Sequence, residues 1–364
     1  MYRDNNPLKI CFFITNLSVG GAEKATIKAA ELLCQNGHSV HLVLLENIIN
    51  FKFSREIKFK IIYEKIKKGL IGKYLMAYKL NRTFYEIERK EGKFNLVVST
   101  LPFCDEIVKI ANIPNVYFRI ANTLSAEIKN LKKSSAIRAG IRLNRYKVNY
   151  NNQNIIAVSQ GVKDDLLNNI KIKSKISVIY NPFNFGHIRK LSSKPIPKNI
   201  KKPYLIHVGR FSAQKRHDLL LDAWKLLSLN MNLLLMTNPS ADLERMISER
   251  GLDDSVKIIG FKENPYPYIY QSEMLILSSD REGLPNVLVE ALVCGTRVIS
   301  TDCPSGPREI LTGALKNCLV PVNNAQLLAK KIKTLIKLPK SKDIDLQSFS
   351  EKNFLKKYMA LARR

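Results

Sequence analysis

The 364-residue sequence predicts an α/β protein made of two Rossmann-like domains, each built on a parallel sheet. Short apolar strands alternate with helical patterns in both halves of the chain, which is typical of βαβ units. A proline-bearing segment, residues 183–202, interrupts this alternation near the middle and is predicted to be a linker. The length also suits two domains of ordinary size better than one core.

The first predicted domain, residues 1–182, begins with a βαβ unit. An apolar strand at 9–15 leads into a turn with Gly20 and Gly21, and a helix is expected over 22–36 before a strand at 40–45. Glycines allow a ligand to approach the backbone closely, although the pair also fits a simple tight βα connection. The spacing is not GxGxxG, so a dinucleotide site is not predicted.

Two later stretches of this domain, 64–90 and 126–150, alternate apolar residues with lysine and arginine at helical spacing. One interpretation is a solvated helix face that covers the core. The other is a surface whose cations meet anionic lipid headgroups or the diphosphate of an acceptor. Further strands of the domain are expected at 95–100, 116–120, 154–159 and 176–180.

The second predicted domain, residues 203–346, starts with a strand at 204–208 and a cationic loop that carries Arg210 and Lys215. These two side chains could supply fixed positive charge to a departing diphosphate, or could simply be solvated. Strands are also expected at 233–236 and 256–261. The tail, 347–364, has the pattern of a final helix.

Residues 274–310 are the part of the second domain in which most of the predicted chemistry lies. An apolar strand ends at Leu277, Glu282 lies in the loop beyond it, and Pro285 begins a helix that contains Glu290. Open α/β sheets bind ligands beyond the carboxyl ends of their strands. Free amides at the helix start, those of residues 286–288, favour a phosphate, and carboxylates accept hydrogen bonds from sugar hydroxyls. A sugar ligand that carries an anion is therefore predicted, unless both glutamates are ordinary solvated helix residues.

The segment EGLPNVLVEAL, with glutamates at 282 and 290, closely resembles the E-x7-E motif of retaining GT-B glycosyltransferases of the type often called family 4. The following DCPSGPREIL is also similar to that family. The resemblance implies a GT-B fold, in which two Rossmann-like domains face each other across a cleft and the C-terminal helix crosses back to the first domain.

The resemblance also implies roles for individual residues. Arg210 and Lys215 match a G-R-x-x-x-x-K pattern that grips the donor pyrophosphate, and with Glu282 they form the expected catalytic set. The residues expected to bind the nucleotide-sugar donor are Gly20, Gly21, Gly260, Phe261, Gly283, Leu284, Pro285, Asn286 and Glu290. Many relatives have a histidine near residue 119, where this chain has none, so Arg119 and Asn122 are the expected acceptor-side substitutes.

Composition limits the classes of protein to which the chain can belong. The formal net charge of +28 suggests a nucleic-acid, membrane-surface or polyanionic partner. No zinc-finger spacing, RNP-like aromatic stripe or helix-turn-helix supports nucleic acid, so an anionic membrane is favoured. No apolar run approaches the ~18 residues of a membrane span, and the N-terminus is not expected to be a signal peptide. The six cysteines show no CxxC pairing and predict reduced thiols rather than metal ligands.

The predicted activity is retaining transfer of a hexose or N-acetylhexosamine from a UDP-sugar to a lipid-linked (undecaprenyl diphosphate type) or glycan acceptor. The expected setting is bacterial surface polysaccharide synthesis of the O-antigen or capsule type. It would take place at the inner face of the cytoplasmic membrane, without a metal or other cofactor. One alternative is a nucleotide-sugar hydrolase or epimerase on the same fold. The other is a non-catalytic protein that binds nucleic acid or another polyanion through charge.

Overall fold

Two parallel sheets organise the chain, as the alternation of apolar strands and helices predicted. The computed structural model describes residues 7–18, 20–339 and 344–363. The chain divides into one unit formed by residues 1–182 together with 351–364, and a second formed by 183–350. The predicted class of two Rossmann-like α/β domains is therefore confirmed.

The sheet of the first unit has the order β3-β2-β1-β4-β5-β6-β7 among the described residues, and every pairing is parallel. Its strands are β1 Lys9–Ile14, β2 Ser39–Glu46, β3 Lys58–Tyr63, β4 Leu96–Thr100, β5 Val116–Ile120, β6 Asn154–Ala157 and β7 Lys175–Val178. The apolar runs KICFFI and SVHLVLLE are almost entirely buried, as expected of central parallel strands that are covered on both faces.

Helices cover both faces of this sheet. They are α1 Gly21–Gln35, α2 Gly69–Glu91, α3 Pro102–Ile110, α4 Leu124–Ser134, α5 Ala136–Tyr150 and α6 Gln160–Asp164, which a π-helical turn Asp165–Ile170 extends. The last helix of the chain, Glu351–Ala362, returns to this unit, where Phe354 and Tyr358 pack in the same core as Phe12 of β1. Within the described residues, no helix combines the length and the apolarity that a bilayer crossing requires.

The second unit has a sheet of order β10-β9-β8-β11-β12-β13 in the part of the chain that is described, again parallel throughout. In chain order its elements are α7 Phe185–Ser192, β8 Tyr204–Val208, α8 His217–Lys225, β9 Asn232–Met236, α9 Ala241–Ser248, β10 Val256–Ile258, α10 Tyr266–Tyr270, β11 Met274–Leu277, α11 Asn286–Val293, β12 Arg297–Thr301, α12 Pro307–Ile310, β13 Leu319–Val320 and α13 Ala325–Leu335. The final helix of the first unit, Glu351–Ala362, is α14.

The predicted linker, residues 183–202, contains a helix. Asn184 caps α7 by accepting a hydrogen bond from the His187 amide at 2.8 Å, and Ile188 is buried. The helix contacts α10 and α11 and therefore belongs to the second unit. The prolines of the segment lie outside the helix, which explains why composition alone indicated a linker.

The stretch 126–150, read from its sequence as one amphipathic element, forms two helices. Ser135 ends α4 in an extended conformation, and its hydroxyl accepts a hydrogen bond from the Arg138 amide at the start of α5. A serine at this position stops one helix and starts the next because its side chain replaces a missing backbone partner. The strand predicted at 256–261 is also shorter, since Gly260 adopts a φ of +72°.

Candidate functional site

The loops that follow β8 and β11 meet at the carboxyl end of the second sheet. These two strands are neighbours at the point where the strand order reverses, because β9 and β10 continue to one side while β12 and β13 continue to the other. Crevices at such switch points are the usual ligand sites of open α/β sheets. The cationic loop and the glutamate-bearing loop predicted from the sequence are therefore adjacent.

Hydrogen bonds between backbone and side chains lock these two loops together. The Asp280 amide donates to the Gln214 carbonyl at 2.9 Å, and the Gln214 side chain donates to the Arg281 carbonyl at 2.9 Å. The hydroxyl of Ser278 donates to the Lys215 carbonyl at 2.8 Å. Contacts within the protein therefore fix the backbone positions of both loops.

Lys215 and Glu282, two of the three predicted catalytic residues, form an ion pair. Lys215 Nζ lies 2.7 Å from Glu282 Oε1, and only 19% and 9% of the two side chains are exposed. The buried hydroxyl of Ser279 donates to the same carboxylate oxygen at 2.6 Å. Charge-assisted bonds of this kind orient both groups strongly. Neither Ser278 nor Ser279 was singled out from the sequence, because their role depends on how the two loops meet.

Two buried imidazoles lie next to Lys215, and no sequence pattern indicated them. The rings of His207 and His217 are 4.7 Å apart and edge to face, and His207 Nδ1 donates to the Ile276 carbonyl at 2.9 Å. Burial, reinforced by nearby Lys215, lowers the pKa of His217 to about 4 and lowers that of His207 well below its usual range. Both rings are therefore neutral near physiological pH and add no positive charge to the site.

Glu290 is buried in α11 and has a partner that was not predicted. The phenol of Tyr266 donates to Glu290 Oε1 at 3.2 Å, and Glu290 is only 5% exposed. Burial, and then the charge of Glu290, raise the pKa of Tyr266, so the phenol stays protonated as a donor. Tyr266 therefore fixes one carboxylate oxygen of a residue that was expected to bind a ribose.

The start of α11 differs from the prediction in two details. Pro285 is the residue before the first helical turn rather than its first member, and the helix begins at Asn286. The Leu288 amide donates to the Pro285 carbonyl at 3.0 Å, so it is not available to an anion as the sequence suggested. The positive end of the helix dipole still lies at this loop.

The loop after β12 packs directly on the glutamate-bearing loop. The Glu282 amide donates to the Pro304 carbonyl at 3.2 Å. Gly306 has a φ of +89°, and a Cβ at this position would lie 2.5 Å from Pro285 Cδ and 3.0 Å from the Gly283 carbonyl oxygen. Only glycine satisfies both the backbone conformation and the close approach.

The other predicted site residues of the second unit differ in their exposure. Arg210 is exposed and makes no ion pair or hydrogen bond with any residue in the described ranges. Phe261 is 49% exposed, and its amide donates to Asn238 Oδ1 at 3.3 Å. The ion pair of Lys215 therefore does not extend to Arg210. Gly283, Leu284 and Pro285, which follow Glu282 in the chain, are buried.

The predicted residues of the first unit lie at the carboxyl end of the first sheet. Gly20 precedes α1, and a Cβ there would be 2.3 Å from the carboxylate of Glu23, which also accepts a hydrogen bond from Ser18 Oγ at 3.1 Å. Gly21, at the first position of α1, is exposed and has open space around it. Glycine at position 20 therefore allows the glutamate to fold back over the helix start.

Arg119 is buried rather than presented to solvent. Its Nη2 donates to Asn181 Oδ1 at 2.5 Å, while Nη1 has no partner among the described residues. Burial lowers the pKa of Arg119, and the neighbouring Tyr358 and Glu23 oppose that shift. Asn122, by contrast, is half-buried and accepts a hydrogen bond from the Thr123 amide at 2.9 Å.

Comparisons with known proteins agree with this architecture. The model of the family described as "Glycosyl transferases group 1" matches residues 189–352. The chain is 26% identical over 345 residues, 90% of each chain, to the N-acetylgalactosamine-N,N'-diacetylbacillosaminyl-diphospho-undecaprenol 4-alpha-N-acetylgalactosaminyltransferase of Campylobacter jejuni. It is 24% identical over 81% of each chain to the capsular polysaccharide biosynthesis glycosyltransferase CapH of Staphylococcus aureus.

Among solved structures, the HepE protein of Anabaena, crystallised with UDP and glucose, superposes with a TM-score of 0.72 over 97% of this chain and 98% of its own, at 19% identity. This likeness extends over both units and concerns the fold. The fold is therefore that of the GT-B glycosyltransferases, and the family match and the named relatives separately support a transferase activity.

Proposed function

We propose that the chain transfers a hexose or an N-acetylhexosamine from a UDP-sugar to a lipid-linked or glycan acceptor, with retention of the anomeric configuration. The observation that carries the proposal is the ion pair between Lys215 and Glu282 beside the start of α11. A diphosphate requires a cation, and a sugar requires hydrogen-bond acceptors. The pair supplies one of each at a single position.

In this proposal, the donor replaces the internal ion pair by two contacts of its own. The diphosphate takes the ammonium of Lys215, with help from Arg210 and the positive end of α11, while the sugar hydroxyls donate to Glu282. Ser279 keeps the carboxylate oriented throughout, because its hydrogen bond does not depend on the lysine. The cations stabilise the charge that develops on the leaving diphosphate, and no metal is required.

Glu290 is proposed to accept hydrogen bonds from the ribose hydroxyls, with Gly260 and Phe261 at the base. Tyr266 supports this assignment because it occupies one oxygen of Glu290 and holds the carboxylate in a single orientation. A carboxylate oriented in this way can bind a diol better than one that is free to rotate.

Retention is proposed to occur on one face of the sugar. The acceptor hydroxyl oxygen forms a bond to the anomeric carbon as the bond from that carbon to the diphosphate breaks, and the hydroxyl proton passes to the departing diphosphate oxygen. The Campylobacter relative, whose printed name describes an α-linked product, is consistent with this outcome. The α or β configuration of a purified product, read by NMR, tests the stereochemistry directly.

The acceptor is proposed to be a glycan carried on an undecaprenyl diphosphate lipid, in the synthesis of an O-antigen or capsule. The names of the Campylobacter and Staphylococcus relatives support a lipid-linked acceptor and a capsular setting respectively. The enzyme would then work at the inner face of the cytoplasmic membrane, with Arg119 and Asn122 on the acceptor side.

Binding of UDP tests the donor site. In thermal unfolding, UDP at a hundred times its dissociation constant should stabilise the protein by about 2.7 kcal/mol relative to the ligand-free chain. GDP and ADP at the same concentration should stabilise it less. Glu290→Gln should weaken this response because it removes the charge but keeps an acceptor for Tyr266. Glu244→Gln, on the exposed side of α9, is the matched control. No response to any nucleotide, or an unchanged response in Glu290→Gln, would overturn the assignment.

Product analysis separates transfer from the related reactions. Incubation with UDP-sugars and an undecaprenyl-diphosphate-linked sugar should yield an elongated lipid. Release of free sugar without an acceptor product would indicate a hydrolase, and recovery of an altered UDP-sugar would indicate an epimerase.

A further inference from the structure

The first half of α2 exposes a row of large apolar side chains. Leu70, Ile71, Tyr74, Leu75 and Tyr78 are 70%, 78%, 59%, 46% and 69% exposed. Their spacing puts them on one side of the helix, whereas Gly72, Met76, Ala77 and Leu80 are buried on the other. The helix therefore has an inner apolar face that packs on the sheet and an outer one that faces solvent. Contiguous exposed apolar surface of this kind marks an interaction site.

A second apolar row lies along α5. Ile137, Ile141 and Val148 are 78%, 57% and 62% exposed and recur at helical spacing on one side. The opposite side buries Ala139, Tyr146 and Tyr150. Like α2, this helix has an outer apolar row directly opposite its buried face.

The two rows belong to one layer of the first unit. Phe13, Ser99 and Phe118 are register partners on adjacent strands, so their side chains lie on the same face of the sheet. Phe13 packs on Phe84 of α2, Ser99 bonds Asp105 of α3, and Phe118 packs on Tyr150 of α5. All three helices therefore cover the same face, and both outer rows point away from it.

Glu106 of α3 ties the two helices together across this layer. Its Oε1 lies 2.7 Å from Lys73 Nζ of α2, and its Oε2 lies 3.9 Å from Arg145 Nη1 of α5. These three side chains connect α2 and α5 through α3, the helix that contacts both. The rows are thus parts of one surface, called here the α2–α5 surface: Leu70, Ile71, Tyr74, Leu75, Tyr78, Ile137, Ile141 and Val148.

Basic side chains accompany both rows of the α2–α5 surface. Lys67 and Lys79 lie over the ring of Tyr63, at 4.9 and 4.4 Å from its centroid, beside the row of α2. Arg138 of α5 is exposed next to Ile137, and α4, which packs on α5, exposes lysines at positions 129, 132 and 133. Apolar side chains within a basic rim match a bilayer with anionic headgroups, in which the rings and aliphatic chains enter the acyl boundary. A nucleic acid would offer phosphate contacts to the basic rim but no apolar region in which the exposed isoleucines and leucines could be buried.

We propose that the α2–α5 surface docks on an anionic bilayer and inserts its apolar rows below the headgroups. The proposal deepens the proposed function, because it identifies the part of the chain that would hold the enzyme at the membrane in which a lipid-linked acceptor resides. It concerns a different part of the chain from the donor site and can therefore be tested separately.

Vesicle flotation tests the docking. The full chain should bind vesicles of phosphatidylglycerol and phosphatidylcholine, and should bind pure phosphatidylcholine at least about tenfold more weakly, with affinity that falls as salt is added. The triple variant Leu70→Ser, Ile71→Ser, Tyr78→Ser should lose binding by about tenfold or more, since it removes much of the inserted apolar area. Leu226→Ser, which changes an exposed leucine of the second unit, should bind as the unaltered chain does.

Depth of insertion provides a second readout. The chain has a single tryptophan, Trp224, and it is buried in the second unit. A Tyr74→Trp substitution therefore adds a reporter on the α2–α5 surface over a constant background. Its emission should shift to the blue on anionic vesicles and should be quenched by lipids brominated on their acyl chains.

The two proposals fail in different ways. Equal vesicle binding by the triple variant and the unaltered chain, or a Tyr74→Trp variant whose added fluorescence is not quenched, would overturn the docking surface while UDP stabilisation persists. Absence of UDP stabilisation in a chain that still binds vesicles would overturn the donor site instead. The triple variant should keep both its thermal midpoint and its UDP response, which shows that lost vesicle binding is not caused by unfolding.

Discussion

The buried charged groups at the carboxyl ends of the two sheets have different kinds of partner. In the second unit, Lys215 and Glu282 neutralise each other at 2.7 Å. In the first unit, Arg119 donates to the neutral amide of Asn181, and Asp105 is held by the hydroxyls of Ser99 and Tyr150 at 2.6 and 2.8 Å. A site organised by an ion pair can exchange that pair for a charged ligand, whereas one held by neutral groups has no such pair to exchange.

In the first unit, burial without an ionic partner makes the charged form of an acidic group less stable. Burial raises the pKa of Asp105 to about 7, although both hydroxyl donors favour the ionised form. Thr100 Oγ1 and Tyr358 Oη, which lie near the same end of the sheet as Arg119, are also buried without a partner among the described residues. Buried polar groups without partners are costly. Both units bury polar atoms of this kind, including the ring nitrogens of His217 in the second unit. The difference is that the site of the second unit is centred on the Lys215–Glu282 ion pair, whereas Arg119 and Asp105 of the first unit are held by neutral groups.

Lys215→Ala should produce the largest change, because it breaks the ion pair on which this comparison rests. Turnover should fall by about 10²–10³, the usual cost of removing one group that stabilises developing negative charge. Unfolding free energy should also fall by about 1–3 kcal/mol, since Glu282 remains buried without its cation. Lys225→Ala, an exposed lysine of α8, is the control and should leave both quantities unchanged.

Gly306→Ala tests whether the second site depends on the close approach of the β12 loop. The variant combines a strained φ with a Cβ 2.5 Å from Pro285, so unfolding free energy should fall by about 1–3 kcal/mol and UDP binding should weaken. Gly251→Ala has a similar φ of +68° but open space around the Cβ. The difference between the two variants, measured by denaturant unfolding, isolates the steric part. Equal losses would mean that the approach to Pro285 has no cost.

Asp105→Asn should remove a fall in stability that the unaltered protein shows between about pH 4 and about pH 7. The folded pKa of about 7 lies above the ordinary value of about 3.9 in the unfolded chain. Native protein therefore holds a proton that the unfolded chain has lost, and its stability falls as pH rises through this window. Asparagine keeps the shape and has no charge to bury. Thermal midpoints of the two proteins should differ most above about pH 7 and should converge only as the pH falls to about 4.

His217→Phe should have the smallest effect and the opposite sign. The folded pKa of about 4 lies below the ordinary value of about 6.5, so the stability associated with the neutral ring is present above that value and is lost as pH falls toward 4. Phenylalanine removes this acid-side loss and also removes two buried nitrogens that have no partner in the described structure. An unchanged acid slope in thermal unfolding would show that another group causes it.

The parts of the site that follow from the sequence are those fixed within a single strand–loop–helix segment. Lys215 and Glu282 lie in the loops that follow two buried strands, and Glu290 lies in the helix after the second loop, so their positions at the carboxyl end of the sheet depend on local spacing. The parallel sheets themselves were predictable for the same reason, from short apolar runs between helical patterns.

The remaining features depend on contacts between distant segments. Tyr266 reaches Glu290 from another helix, His207 reaches Ile276 on the neighbouring strand, and Gly306 touches Pro285 from the loop after β12. None of these contacts has a sequence spacing that reveals it. The helix α7 was missed because its flanking prolines suggested a linker, and the burial of Arg119 became evident only once Asn181 and α14 were placed beside it.

Calorimetric titration of UDP and of a UDP-sugar into the unaltered enzyme and Glu282→Gln tests the central claim most directly. If the donor exchanges the Lys215–Glu282 pair for contacts to its diphosphate and its sugar, the variant should bind UDP at least as well, because the lysine has lost its competing partner. It should bind the UDP-sugar about tenfold more weakly relative to UDP, since a charged acceptor for the hydroxyls is gone. Equal weakening of both ligands would contradict the account, because it would place Glu282 at the nucleotide and not at the sugar.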